Sequence, residues 1–274
     1  MVVLGAIALA GCLGLAGCGV VADLADLADL RLMTSPHLML GNPSDAATRL
    51  ELPNNYLLIK PQFALSYSRD RGTANWVSWQ LNPDWLGEVD RQNNFRPDPD
   101  LPADWPVITS QDYRGRRYDR GHLAPSGDRT ASIEDNSATF VMSNIIPQSP
   151  DNNRGPWSDL ESASRQLVSQ GRELYILAGP IGQQGRIGSA QVVVPQSVWK
   201  IIVVMEEPGL EAGEISEATR VIAVNLPNVS GIGNRPWQDF ITTVDELEEL
   251  TGFDFLSTVD DDVEAVIERR ADGG

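Results

Sequence analysis

Apolar and polar positions alternate with a period of two along residues 63–68 and 75–81, with Gly72 between them. That pattern predicts an antiparallel hairpin. Residues 139–147 read as a second apolar strand, and apolar runs at 174–178, 192–194, 199–204 and 221–226 read as further buried strands. After Pro156 the period changes: Trp157, Leu160, Leu167 and Val168 recur at helical spacing and form a core face, while Glu161 and Arg165 fall one turn apart on another face. Pro156 suits the first turn of that helix, where its missing N–H costs little. Residues 82–105 are rich in Pro, Asp and Asn and read as a loop, whereas 245–250 and 260–270 read as short acidic surface helices. The chain is therefore expected to be mixed and rich in strands.

The N-terminal pattern is of another kind. Residues 1–22 carry no charge, are rich in Ala, Gly, Leu and Val, and contain Leu9-Ala10-Gly11-Cys12 and Leu15-Ala16-Gly17-Cys18. Small residues before a cysteine resemble a bacterial lipoprotein signal, so residues 1–18 are expected to be an export signal cleaved before a lipidated Cys18. Glycines interrupt the apolar run too often for a permanent membrane span. The three Ala-Asp-Leu units at 22–30 bury nothing by themselves, which makes 19–35 an acidic tether. Residues 36–274 are expected to form one domain with a substantial core and no cysteine. The expected location is outside the cytoplasm: lipid-anchored through Cys18, or periplasmic or secreted.

The net charge is -17, an unusual value for a chain that holds a polyanion. Its distribution softens the objection. Residues 206–274 hold 17 acidic and 4 basic side chains, whereas residues 69–172 hold 12 arginines against 15 acids. Lys60 and Lys200 are the only lysines, so phosphate contacts fall to arginine, whose planar fork suits them.

That arginine-rich middle concentrates the groups that phosphodiester hydrolysis needs. Asp119-Arg120-Gly121-His122 lies on an extended run, Asn153 in a polar loop and Glu161 on the helix, in the order strand, strand, helix. An imidazole titrating near pH 6.5 suits a general base. His37, the other histidine, has no polar constellation around it and reads as structural. Mg2+-like ions take oxygen ligands and keep several waters, so one Asn153 carboxamide oxygen plus substrate phosphate would suffice, with Glu161 orienting the metal-bound waters. Arg91 and Arg120 are candidates to clamp the scissile phosphate, and Arg165 to reach a neighbouring one. Asp119 would orient either His122 or a metal-bound water. Arg114-Gly115-Arg116-Arg117 offers a basic lip for a nucleic-acid backbone or a solvated loop.

The ordered set of Asp119-Arg120-Gly121-His122, Ser143-Asn144-Ile145-Ile146-Pro147-Gln148, Asn153, Trp157, Leu160-Glu161 and Arg165 strongly resembles the DNA/RNA non-specific endonucleases of the ββα-metal class, and most of all their exported cyanobacterial members. The resemblance extends over nearly all of the chain beyond the export segment. It implies an α+β, His-Me finger nuclease fold, with a central antiparallel sheet and flanking helices. It also implies His122 as base, Asn153 as direct ligand of a single Mg2+ or Mn2+, and Glu161 as a ligand through water. Arg91, Arg120 and Arg165 would contact phosphate, with Asp119 in support and Gln148 also among the substrate-binding residues. The expected substrates are DNA and RNA, single- and double-stranded, cut to 5′-phosphate ends, and a protein inhibitor is a possible partner. The departure at Gly155-Pro156 bears on the helix entry angle, not on the catalytic groups. Two other readings compete: a surface lipoprotein that captures nucleic acid without cutting it, and a phosphodiesterase for small esters.

Overall fold

A computed structural model describes residues 35–115 and 117–273; the expected export segment and acidic tether, up to residue 34, and Arg116 lie outside them. Eleven strands occur among these residues: β1 (Tyr56–Ile59), β2 (Ala64–Ser68), β3 (Thr73–Leu81), β4 (Asp119–His122), β5 (Ile145–Gln148), β6 (Glu173–Ile181), β7 (Gly185–Ile187), β8 (Val192–Val194), β9 (Ser197–Met205), β10 (Arg220–Pro227) and β11 (Ile241–Thr242). The helices are α1 (Ile133–Ala138), α2 (Pro150–Arg154), α3 (Pro156–Ser169), α4 (Val244–Thr251) and α5 (Asp261–Ile267). Seven strands form one antiparallel sheet in the order β1-β2-β3-β6-β9-β10-β11, and β4–β5 and β7–β8 form separate two-stranded ribbons. The expected hairpin is β2–β3, turning through Gly72 at φ +69°, which an L side chain rarely adopts.

The sheet is covered on both faces, and its central strands read as continuous apolar runs because each face has its own core. In β9, Ile202 and Val204 join one core, and Trp199, Ile201, Val203 and Met205 the other. The first core also takes Trp157, Leu160 and Val168 of α3, Leu123 beyond β4 and Ile146 of β5, so α3 and the β4–β5 ribbon are fixed to the same face. The second takes Val244 and Leu247 of α4 and Ile267 of α5, so the acidic C-terminal helices cover the back of the sheet with one buried side each.

Residues 139–147 depart from the expected strand. Thr139 caps α1, Met142–Asn144 is a 3-10 turn, and pairing with β4 begins only at Ile145. The apolar side chains of this segment are buried around irregular backbone, and a parallel bridge joins Val141 to Arg96.

His37 is structural, as expected. Its Nε2 donates to the Pro61 carbonyl at 2.7 Å and its Nδ1 accepts from the Gln80 N–H at 3.2 Å. Burial, then the Arg129 charge, lowers its pKa to about 4. Because the folded value lies below the unfolded ~6.5, the unfolded chain takes up the proton first, and stability falls as pH drops from about 6.5 towards 4. Urea midpoints at pH 7.5 and 5 are expected to show wild type losing roughly 2 kcal/mol more than His37→Gln across that interval. Equal losses in the two proteins would show that His37 does not carry the effect.

Candidate active site

β4 and β5 pair with Asp119 opposite Gln148 and His122 opposite Ile145, and the chain passes from β5 through α2 into α3. This is the strand, strand, helix order expected from the sequence. A Cβ at position 121 would lie 2.0 Å from Oε1 of Gln148, so only glycine lets β4 approach β5 so closely.

The His122 ring packs edge-on against Phe140, with centroids 4.8 Å apart, and tilted against Phe95 at 5.4 Å. Neither ring nitrogen makes a hydrogen bond among the described residues, and Nε2 is sealed from solvent; the ring lies behind Phe95, Arg91 and Arg120, which line the cleft. Burial, reinforced by the Arg91 and Arg120 charges, lowers its pKa to about 3. The imidazole is therefore neutral at physiological pH, and it becomes an effective proton acceptor only once a bound phosphate offsets the Arg91 and Arg120 charges.

Asn153 lies on α2 and not in a loop; its backbone N–H donates to the Ser149 carbonyl at 2.8 Å. Its side-chain Nδ2 donates to Asp119 Oδ2 at 3.0 Å, and Arg154 closes a fork on the same carboxylate at 2.8 and 2.7 Å. Asp119 therefore orients Asn153 rather than His122, and the Asn153 carbonyl oxygen has no hydrogen-bond partner among the described residues. Asn153, Asp119, Arg91, Arg120, Phe95 and Arg114 line a polar cleft of about 430 Å³.

Arg91 donates to Ser126 Oγ at 2.5 Å and to Asn93 Oδ1 at 2.9 Å, with its guanidinium 4.8 Å from the Phe140 centroid. The exposed Arg120 guanidinium stacks 4.1 Å over Phe95. Arg165 is bound to the buried Asp128 at 2.9 Å and not to Glu161 one turn earlier. Gln148 differs from its expected substrate contact: it is fully buried, and its Nε2 donates to Asn152 Oδ1 at 2.8 Å behind the ribbon. Arg114 stands exposed on the cleft rim.

Glu161, on α3, receives no hydrogen bond on its carboxylate from any described residue. Burial raises its pKa to about 7 against the opposing charge of Lys200, with Asp128 raising it further and Arg165 and Arg91 lowering it. Arg91 thus lies close enough to act on both His122 and Glu161, and these groups share one electrostatic neighbourhood.

Three charged residues here were not singled out from the sequence. Lys200 is 1% exposed, on the face of β9 that meets α3, with its ammonium 3.9 Å from the Trp157 ring centroid and near Glu161. Asp128 receives both Arg165 and the Trp79 indole N–H at 3.0 Å. Arg129, fully buried, donates to the Gln62 and Gln80 carbonyls and stacks over Trp85. A lysine inside an apolar strand run was the available signal for the first. The other two adjoin the histidine motif but carry no pattern of their own.

The donor set fits a hard divalent cation. Asn153 presents a neutral oxygen whose amide nitrogen is already committed, and Glu161 presents a carboxylate that no described residue hydrogen-bonds; both are the hard oxygen donors such an ion takes.

Comparison with known proteins agrees with this geometry. The family model described as DNA/RNA non-specific endonuclease matches residues 46–262. A Nostoc sp. protein named Nuclease is 54% identical over 87% of this chain and 86% of its own length. The mouse protein Nuclease EXOG, mitochondrial, is 30% identical over 72% of this chain, which spans 56% of that relative. The crystal structure of an EndoG/EndoGI complex contains a chain that superposes with a TM-score of 0.70 at 23% identity, covering 84% of this chain and 93% of that one, a likeness of fold. The chain therefore belongs to the DNA/RNA non-specific endonuclease family, as a nuclease with the ββα-metal fold in a family of metal-dependent enzymes.

Proposed function

We propose that this nuclease cuts DNA and RNA, single- or double-stranded, by attack of water, with His122 as base and one Mg2+ or Mn2+ held by the Asn153 carbonyl oxygen. The observation that supports the reading is the Asn153–Asp119 hydrogen bond, which commits the amide nitrogen and leaves the oxygen without a protein partner among the described residues, on a residue that lines the same cleft as Arg91 and Arg120. A bound ion would offset charge on the phosphoryl group and the leaving oxygen. The chain's own groups do the rest. His122 Nδ1 takes the proton of the attacking water, Glu161 orients coordinated waters, and Arg91 and Arg120 offset charge developing on the phosphate. Arg165 reaches the substrate only from its place beside Asp128. External water as nucleophile needs no ribose 2′ hydroxyl, so both nucleic acids are substrates; with the 3′ oxygen as leaving group, the products carry the 5′ phosphates that the family resemblance implies. One ion is favoured over two because, among the described residues, no cluster of carboxylates lines this cleft to bridge a pair.

We further propose residues 36–274 as one nuclease domain behind the export signal and tether, released or anchored through Cys18. Mass spectrometry of the mature N-terminus would distinguish these forms, and an unprocessed N-terminus would exclude both. The arginine-lined cleft also suits an inhibitor protein with an acidic surface. The solved EndoG chain is described in complex with EndoGI and in terms of its inhibition.

Chelation of divalent ions is expected to stop cleavage of plasmid DNA and of RNA alike, with Mg2+ or Mn2+ restoring both. Metal-independent capture without cleavage would favour the lipoprotein that only binds. His122→Ala is expected to lower kcat by about 10²–10⁴-fold with an unchanged melting curve, and near wild-type turnover would remove His122 from the mechanism. Asp119→Asn is expected to raise the metal concentration for half-maximal rate by roughly 10–100-fold, because the Asn153 amide loses its charged acceptor. An unchanged metal requirement would separate Asp119 from the ion.

A further inference from the structure

A second concentration of carboxylates lies in the layer behind the sheet, on the opposite side from the cleft. Asp245 and Glu248 stand one turn apart on α4, with Glu264 on α5 and Glu268 just beyond its end. The backbone N–H groups of Val244 and Asp245 donate to the Glu268 carbonyl at 3.0 and 3.3 Å, fastening the end of α5 to the start of α4. One carboxylate oxygen from each of Asp245, Glu248 and Glu268 lies within 4.8 Å of the other two.

An acidic cluster on a solvated surface needs no ion, but Glu268 is not solvated. It is 6% exposed, it points into the cluster, and its Oε1 is sealed from solvent with no hydrogen-bond partner, as is Oε1 of Glu264. The charges that act on Glu268 are those of Glu248, Glu264, Asp245 and Asp254, all of one sign. The neighbouring arginines are directed elsewhere: Arg269 donates to the Ala265 carbonyl, and Arg270 to the carbonyls of Glu217 and Thr219. Burial and these like charges push Glu268 up to about 9 and Glu264 up to about 7. A buried carboxylate in such company is relieved either by protons or by a cation.

We propose that Asp245, Glu248 and Glu268 bind a hard divalent cation of calcium size that clasps α4 to the end of α5. The ligand chemistry favours Ca2+ over Mg2+. The donors are all carboxylate oxygens of the protein itself, which suits the irregular oxygen coordination of Ca2+, whereas Mg2+ demands a near-ideal octahedron, keeps several waters and is usually held by one or two carboxylates. The site shares no residue with the nuclease centre, and its role is to hold the back layer together. Ion binding would also neutralise part of the acidic excess carried by the C-terminal quarter of the chain.

The test is thermal unfolding of the full chain with Mg2+ held constant and Ca2+ titrated from zero to 10 mM. Wild type is expected to gain roughly 5 °C. The gain is expected to persist in Asn153→Ala and to vanish in Glu268→Gln and in Asp245→Asn, both of which retain nuclease activity. Asp245 is exposed, so its variant keeps the test valid should Glu268→Gln fail to fold. No Ca2+-dependent gain in wild type would overturn the proposal and leave the cluster to protons. So would an equal gain in the carboxylate variants, or loss of the gain in Asn153→Ala, which would place the ion in the nuclease centre.

Discussion

One hydrogen bond decides what this cleft can do. Asn153 donates its amide nitrogen to Asp119, and because Arg154 forks the same carboxylate, the acceptor is held from two sides. The bond joins the first strand of the ββα unit to the residue that follows its second strand. It also commits the carboxamide nitrogen, so the oxygen is the end that remains free of protein partners among the described residues. A neutral oxygen at that point leaves a bound ion's charge undiminished for phosphate.

The large sheet makes this local bond possible and also separates the molecule's charges. Its two faces carry two cores, and the period of two within β6, β9 and β10 sends alternate side chains to each. Lys200, in register with Ala178 and Val224, reaches the face that supports α3 and brings a buried positive charge beneath Glu161. The acidic helices α4 and α5 are packed on the other face. A chain with a net charge of -17 thus presents Arg91, Arg114 and Arg120 around its cleft while the sheet stands between them and the C-terminal acids.

Much of this was legible in the sequence, for identifiable reasons. The β2–β3 hairpin and α3 declare themselves through period, Gly72 and Pro156, and the ordered motif from Asp119 to Arg165 carried the ββα unit. Asn153 was placed in a loop because α2 is five residues of Pro, Asp, Asn and Arg with no apolar stripe to announce a helix. Residues 139–147 looked like a strand because burial alone makes a segment apolar, whatever its backbone does. Gln148 looked like a substrate contact because it stands in the motif, but alternation along β5 turns it inward. Arg165 reads as a phosphate contact one helical turn from Glu161, whereas its carboxylate partner Asp128 is 37 residues away, and no local pattern encodes such a contact.

As proposed above, the Asn153 oxygen is the protein's own grip on the catalytic ion. Anomalous diffraction from crystals soaked in Mn2+ tests it directly. The expected result is a peak about 2.1 Å from Asn153 Oδ1, with the Glu161 carboxylate one water further out and His122 Nδ1 facing the same space. A peak bound directly by Glu161 with Asn153 turned away, or no peak in the cleft at all, would contradict it.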